Sequence, residues 1–247
     1  MSTRTIFAAG LAVAALAMAQ AQKPKYTKAE GEAFNAIVSE PDPAAKIEKV
    51  KAFVEKFADT QFKAIAYDQA ARAAEQLGDG SKLIIYSDLA IEADPKAYGA
   101  MLLEAGEIAR TTRENDLDRE EKLMKADKLA RQAMEIVPTA AKPNPNLTDE
   151  QWEEVKKEFV GDAHRDLGMS AAVRKKNDVA IAEFKLAVSI PGQPDPATFI
   201  RLAAAYNDAK QPDEALAVLA KITDPRLAPF AANEKRRAEA LKGAKNK

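Results

Sequence analysis

The sequence contains no cysteine, and its only histidine is His164. Without thiols we expect no disulfide bond, no zinc site built on cysteine, no thiol nucleophile and no lipid-bearing cysteine. A catalytic triad would have to use His164, because imidazole is its usual general base. The sequence therefore offers few of the groups that catalytic sites commonly use.

The chain also lacks a strong charge of either sign. Its 37 Lys and Arg residues are balanced by 38 Asp and Glu residues. Nucleic-acid binding draws on a basic surface that neutralises phosphates, so we expect no nucleic-acid partner. The composition, with 47% apolar and 30% charged residues, is typical of a globular protein with one substantial domain or two small ones.

Residues 1–21 have the pattern of a secretory signal peptide. Arg4 precedes an uncharged stretch, residues 6–18, and the small residues Ala19 and Ala21 provide cleavage sites. As a helix this stretch would span about 20 Å, whereas the hydrocarbon core of a bilayer is about 30 Å thick. We therefore expect cleavage after Ala19 or Ala21 rather than a membrane anchor, and a periplasmic or secreted protein. The later sequence predicts no integral membrane segment.

Prolines divide the rest of the chain into segments of helix length. Proline inside a helix costs about 3 kcal/mol, so it marks helix starts and connections. Between the prolines, Ala, Leu, Glu, Lys and Arg dominate, and apolar residues recur every three or four positions. Residues 82–87 form the one strand-like run. This pattern predicts an all-α fold.

Helix start signals follow the same division. Thr27 with Glu30, and Thr148 with Gln151, have the spacing of a capping box, in which two side chains satisfy unpaired backbone amides. Residues 42–43, an Asp-Pro pair, place a capping acceptor before a proline at the first helical position. Each signal lies where a proline-marked gap ends, so we expect helices to begin there.

A short pattern of a large residue, an Ala or Leu, a small residue and an Ala or Tyr recurs along the chain. Its copies are Tyr67-Ala70-Ala71-Ala74, Leu102-Ala105-Gly106-Ala109, His164-Leu167-Gly168-Ala171 and Phe199-Leu202-Ala203-Tyr206. The copies begin 35, 62 and 35 residues apart. A second pattern follows each copy, at Leu83-Ser87-Ala90, Ala126-Ala130-Ala133, Ala180-Phe184-Ala187 and Ala215-Leu219-Ile222. Two linked helical patterns at this interval predict stacked helix pairs, with insertions in the middle of the array.

These patterns resemble the tetratricopeptide repeat (TPR) family, whose unit of about 34 residues joins a Leu-Gly-x-x-Tyr helix to an Ala-x-x-x-Phe helix and ends in proline. Residues 166–191 match it best, and residues 202–225 come next. The chain departs from the family in having no Trp at the first large position, Tyr at the fourth position only at Tyr206, and Ser87 at an aromatic position. The resemblance implies antiparallel helix hairpins stacked as an α-solenoid with a right-handed superhelix.

The resemblance further implies a single repeat domain over residues 22–247. Its expected parts are a capping hairpin at 27–58, repeats at 61–95, 97–138, 148–191 and 197–225, and a C-terminal capping helix at 229–242. The capping elements are expected because the ends of a repeat array need a polar outer face.

Two glycines, Gly106 and Gly168, occupy the small position of their copies. Glycine inside a helix costs about 1 kcal/mol relative to alanine, so we expect close packing to compensate. The second helix of the pair, with Ala126 or Ala180 facing the glycine, would be the element that approaches.

No catalytic, cofactor or metal site is predicted. His164 occupies a repeat position that should be buried, and Asp162 and Asp166 lie about 200° from it around the helix, so the three would not converge on a metal ion. Residues 116–121 begin like a calcium loop but have Glu where that loop needs glycine. Residues 78–81 are rich in glycine yet lack the Gly-Lys-Ser/Thr of a phosphate loop, which favours a turn.

Helical positions beside the repeat pattern predict a peptide-binding groove. Residues on this side of the first helix of each pair would line the inner surface of the superhelix. The candidate groove residues are Asp68, Arg72, Leu103, Glu107, Arg110, Arg165, Met169, Ile200 and Asn207. This surface would be charged in the first two repeats and apolar in the last two. It lacks the Lys and Asn pairs with which some members of the family clamp acidic C-terminal tails.

We therefore expect a non-catalytic scaffold or adaptor of the cell envelope that binds a protein or peptide through this groove. Two alternatives remain. One is an enzyme or accessory subunit whose site lies in residues 139–163, around Asn144, Asn146 and Trp152, and the other is a structural component that assembles with itself. A buried Trp152 would indicate a structural role for the insertion, and an exposed one would indicate an interface.

Overall fold

The computed structural model describes residues 26–144, 146–190 and 195–245. The expected signal peptide, residues 1–21, lies outside this part of the chain, as do Pro145, Pro191 and Pro194. All regular secondary structure of the described residues is helical, which confirms the all-α fold class. None of these helices combines the length and the apolar character that a bilayer crossing requires.

The described residues form a stack of α-helices with two short 3-10 helices. The α-helices are α1 (Lys28–Val38), α2 (Pro43–Lys56), α3 (Lys63–Gln76), α4 (Gly80–Ala93), α5 (Tyr98–Thr111), α6 (Arg119–Ile136), α7 (Asp149–Val173), α8 (Asn177–Ser189), α9 (Pro196–Asp208), α10 (Pro212–Leu219) and α11 (Ala228–Lys245), and the 3-10 helices are Val137–Thr139 and Pro225–Leu227. Consecutive helices pack together as hairpins, and α3 also contacts α5, α5 contacts α7, and α7 contacts α9. The first helices of successive pairs therefore form one continuous layer, as a stacked-hairpin solenoid requires.

Helix starts coincide with the capping signals. The Thr27 side chain accepts a hydrogen bond from the Glu30 amide at 3.2 Å, and Glu30 Oε2 accepts one from the Thr27 amide at 2.7 Å. Thr148 and Gln151 form the same reciprocal box at the start of α7. Asp42 caps α2 in front of its first-turn proline. Local sequence thus sets where these helices begin.

The strand-like run at residues 82–87 lies inside α4. Its buried residues, Leu83, Tyr86 and Ser87, continue to Ala90 along one side of the helix. Spacing of three and four positions places them on one face, which packs against the neighbouring helices. Tertiary packing therefore overrides the strand tendency of this segment.

The two repeat glycines pack differently from the sequence-based prediction. A β-carbon at Gly168 would lie 2.6 Å from the ring of Phe184 on α8, so the crossing is tight, but its neighbour is Phe184 rather than Ala180. Gly106 is nearest to the Asp166 carboxylate of α7, whereas the prediction named Ala126 on the second helix of its own pair. The glycine of α5 therefore leaves room for a polar group from the next pair.

The long insertion is folded back onto the array. Its described part comprises the 3-10 helix Val137–Thr139, the connecting residues 140–144 and 146–148, and the first turns of the 25-residue helix α7. Trp152 is 5% exposed, and its Nε1 donates a hydrogen bond to the Ala140 carbonyl at 3.0 Å. Lys156 donates to the Pro138 carbonyl at the same distance. These contacts anchor the lengthened helix, so the insertion has a structural role.

Candidate binding surface on the first helices

One arginine projects from each of the first helices α3, α5, α7 and α9. We call these four residues the arginine row: Arg72, Arg110, Arg165 and Arg201. Each has a carboxylate partner on its own helix or at that helix's N-cap. The layer of first helices therefore carries a row of paired charges.

Arg165 lies at the centre of the best-connected part of the row. Its Nε and Nη2 donate to Asp166 Oδ1 at 3.0 and 2.8 Å, and its Nη1 donates to Asp162 Oδ1 at 2.6 Å. Its side chain is only 14% exposed. Burial opposes its positive charge, but the two aspartates outweigh that effect and raise the pKa of the guanidinium.

Asp166 is 1% exposed and faces α5 at Gly106. A β-carbon at Gly106 would lie 3.3 Å from Oδ1 and 3.4 Å from Oδ2, so the carboxylate rests against the helix backbone. Among the described residues, Oδ2 has no hydrogen-bond donor. Burial raises the pKa of Asp166 to about 7, and Arg165 offsets this only in part.

Arg201 on α9 approaches the same cluster from the next pair. Its Nη1 lies 3.6 Å from Oδ2 of Asp195, the N-cap of α9, which is longer than a hydrogen bond. Burial lowers the pKa of Arg201, Asp195 raises it, and the positive charges of Arg165 and Arg110 lower it further. The arginines of α5, α7 and α9 are therefore close enough to influence one another.

Arg110 is the most exposed member of the row, with 57% of its side chain accessible. Its Nε donates to Glu107 Oε2 at 3.2 Å. Glu107 is buried against Gly80, where any β-carbon would overlap its carboxylate. Since Gly80 is the first residue of α4, the positive end of that helix also favours the Glu107 charge.

Arg72 forms the N-terminal end of the row. Its Nε donates to Asp68 Oδ2 at 2.8 Å, and the pair lies against Gly99 at the start of α5. Beside it, the rings of Tyr98 and Phe159 meet edge to face with centroids 5.1 Å apart. Burial and the nearby Asp68 raise the pKa of Tyr98 to about 12, so its hydroxyl stays protonated at neutral pH.

The structure divides the candidate groove residues into two groups. Those at least partly accessible are Asp68, Arg72, Leu103, Arg110, Arg165 and Ile200, and those buried are Glu107, Met169 and Asn207. Met169 packs in the apolar core, and Asn207 lies under α11, where its Nδ2 donates to the Glu234 carbonyl at 3.0 Å. The accessible surface is therefore smaller than expected, and peptide binding along it stays a prediction.

Sequence reasoning missed two residues of the charged cluster around Arg165, namely Arg201 and Asp166. Arg201 lies one position beyond Ile200, but its long side chain reaches further than the position of its Cα indicates. Asp166 was considered only as a possible metal ligand beside His164. The alternation of acid and base at Asp162, Arg165 and Asp166 is the signal that could have indicated a neutralised cluster.

His164 lies on the opposite side of α7 from this cluster. Its Nδ1 is 2.7 Å from Oε2 of Glu183 on α8, and both side chains are mostly buried. Asp162 and Asp166 engage Arg165 instead. No group of three or more metal-ligating side chains occurs within the described ranges.

Another buried carboxylate, Glu104, lies on the other side of α5. Glu104 is fully buried and forms an ion pair with Lys125 of α6, which also donates to Asp88 of α4 at 2.9 Å. Neither oxygen of Glu104 accepts a hydrogen bond of ordinary geometry from the described residues. Burial raises the pKa of Glu104 to about 7, although Lys125 lowers it in part.

Comparison with known proteins identifies the fold. No protein-family model and no curated protein matches the chain. The crystal structure of a thermophilic TPR protein from Thermus thermophilus is similar, with 18% sequence identity and a TM-score of 0.53 over 86% of this chain and 98% of that one. The chain has a TPR-like fold. At this level of identity the likeness concerns the fold alone, and it agrees with the repeat spacing of the sequence.

Proposed function

We propose that this protein is a non-catalytic scaffold of the cell envelope that binds a protein or an extended peptide along the arginine row. A TPR-like stack of helix pairs presents a broad surface without requiring any chemistry of its own. The observation that carries the proposal is the presence of one arginine on each of four successive first helices. Guanidinium groups are well suited to protein interfaces, because they combine a fixed set of donors with weak hydration.

The two most accessible arginines of the row, Arg110 and Arg72, can meet a partner directly. Arg110 is largely exposed, and Arg72 is 39% exposed. Since both are held by carboxylates of their own helix, their guanidinium groups are positioned before a partner arrives, which lowers the entropic cost of binding. Arg165 is unsuitable for a binding test, because its removal would leave the buried Asp166 without its cation, whereas Glu107 keeps the positive end of α4 when Arg110 is replaced.

The alternative site in residues 139–163 has no specific observation in its favour. Trp152 is buried, and its indole nitrogen is already hydrogen bonded to Ala140. We therefore assign no enzymatic role to the insertion. Export to the envelope stays a prediction, since it depends on residues 1–21.

The test is affinity capture from an envelope extract, followed by titration of the purified partner. Arg110→Gln and Arg72→Gln should each weaken binding about tenfold, which is about 1.4 kcal/mol. Lys185→Gln, on the exposed side of the second helix α8, is the matched control and should bind like the unmodified protein. If the arginine variants bind normally while Trp152→Phe does not, the insertion is the site and the proposal is wrong.

A further inference from the structure

The buried Asp166 has two unlike oxygens. Oδ1 accepts two hydrogen bonds from Arg165, whereas Oδ2 lies beside Gly106 of α5 and has no hydrogen-bond donor among the described residues. An ionised carboxylate with an unsatisfied oxygen is costly inside a protein, while a protonated one carries no charge and can donate a hydrogen bond. The geometry therefore favours proton uptake at this residue more than at an exposed aspartate.

Asp166 is surrounded by charged side chains of its own helix and of the helices that pack against it. Its own helix contributes Arg165 and Asp162, α9 contributes Arg201 with its N-cap Asp195, and α5 contributes Arg110, which acts through Arg201. Charges on the other two neighbouring helices have different partners on α7. Those pairs are Glu120 and Asp127 of α6 with Arg174, and Glu183 of α8 with His164.

Protonation of Asp166 changes what holds Arg165. The ionised carboxylate binds the Nε and Nη2 edge of the guanidinium in a charge-assisted pair, which fixes its plane along α7. Once the carboxyl is neutral, Asp162 still binds Arg165 through Nη1, and the negative charge of Asp195 still acts on the guanidinium. The cluster then carries one negative charge fewer, and one edge of the guanidinium can be donated to another acceptor.

We infer that Asp166 is a proton-operated switch of the arginine row: when it takes up a proton it releases one edge of Arg165 toward the partner, and when it loses the proton it locks Arg165 against α7. This inference rests on the proposed function for its effect on binding. The change at Arg165 itself requires no partner. A pKa of about 7 for Asp166, caused first by burial, puts the transition near neutral pH.

The switch can be tested on the protein alone by NMR. The Asp166 side-chain carbon and the Arg165 Nε–H resonance are followed between pH 5 and 9. Both should titrate with one midpoint near neutral pH. In Asp166→Asn the Arg165 resonance should no longer shift with pH, and in Asp162→Asn, the matched control, the coupled titration should persist. Titration of Asp166 without any response of Arg165 would overturn the switch, as would a midpoint near that of an exposed aspartate.

The consequence for binding is measured with the purified partner at pH 6 and pH 8. If only the protonated form binds, its population falls from about 90% to about 10% between these values, and the affinity falls about tenfold. In Asp166→Asn the two affinities should be equal. Equal affinities in the unmodified protein, despite coupled NMR titration, would show that Arg165 does not reach the partner. Binding that is unaffected by Arg110→Gln and Arg72→Gln would refute the proposed function and leave the NMR result standing.

Discussion

The two ends of the helix array are held by different forces. At the N-terminal end, Phe34 of α1 stacks on Phe62 with ring centroids 4.6 Å apart, and Tyr26 meets the same ring edge to face at 4.7 Å. At the C-terminal end, α11 buries only Ala238 among residues 228–244. Large apolar side chains thus pack at the N-terminal end, whereas the helix at the C-terminal end buries very little apolar surface.

At the C-terminal end, where little apolar area is buried, ion pairs and a hydrogen bond hold α11 to the array. Across the interface of α11, Arg237 pairs with Asp208, Lys242 pairs with Asp213 at 2.5 Å, and Asn207 donates to Glu234. Exposed ion pairs of this kind contribute at most about 1 kcal/mol each, whereas a buried aromatic side chain contributes several. A repeat array can therefore end either in a hairpin with a large apolar core or in a helix whose outer surface is polar.

The largest expected effect concerns the aromatic end. Phe34→Ala should lower the free energy of unfolding by about 3 to 5 kcal/mol, because it removes a fully buried ring from a stacked cluster. Urea denaturation measures the loss. Phe230→Ala on α11, where the ring is 61% exposed, is the control and should change stability by less than about 0.5 kcal/mol. Similar losses in both variants would contradict the difference between the ends.

Between the two ends, the buried Glu104 should make the stability of the array depend on pH. Its pKa is raised from 4.5 to about 7, so its contribution to stability is fully present below pH 4.5 and is lost as the pH rises through 7. Glu104→Gln cannot ionise, so the decrease in stability across this window should be smaller by about 1 to 3 kcal/mol.

Stability of the unmodified protein and of Glu104→Gln is measured from pH 4.5 to 8 by denaturant titration. Glu154→Gln, an exposed position on α7, serves as the control and should keep the original pH dependence. Identical pH profiles for all three proteins would show that Glu104 is not the group that titrates.

Glycine and lysine occupy equivalent turn positions in the N-terminal and C-terminal halves of the array, so each can be replaced by the other. Gly78 (φ +69°) in the turn before α4 and Lys210 (φ +59°) in the turn before α10 both have left-handed backbone. Only glycine adopts this conformation without strain, and a β-carbon at Gly78 would meet nothing within 4 Å. Lys210→Gly should therefore stabilise the protein, and Gly78→Lys destabilise it, by about 1 kcal/mol each.

Thermal unfolding of these two variants gives the comparison. Lys175→Gly, at the third left-handed turn residue (φ +59°), provides an independent repeat of the test. A loss of stability in both lysine-to-glycine variants would mean that the lysine side chains contribute more than the backbone strain costs.

The smallest effect is expected from salt. Raising NaCl from 0.05 to 1 M screens the ion pairs of α11 and should lower the free energy of its local opening by about 0.5 to 1 kcal/mol. Residue-resolved hydrogen exchange reports this opening, and the amides of α1 are the internal control. An equal response of α1 and α11 would remove the distinction between apolar and ionic ends.

The sequence predicted the helices and their register well, because those depend on neighbouring residues. Caps at Thr27 and Thr148 and the tight position of Gly168 follow from short-range spacing. The candidate site was predicted less completely. Arg72, Arg110 and Arg165 were selected from helix geometry, whereas Arg201 was missed and Met169 proved to be buried.

By itself, then, the sequence determined that the described residues fold into helices alone, where the capped helices begin, and the interval at which the helix pairs repeat. These properties arise from backbone hydrogen bonding, capping and the 3.6-residue period, all of which act within a few residues. Only the tertiary structure decided that Asp166 faces Gly106, that Glu104 is buried beside Lys125, and that Asn207 lies under α11. Burial and charge pairing depend on which helices meet, and these pairs join residues 21 to 60 positions apart, a separation that only the packed helices bring into contact.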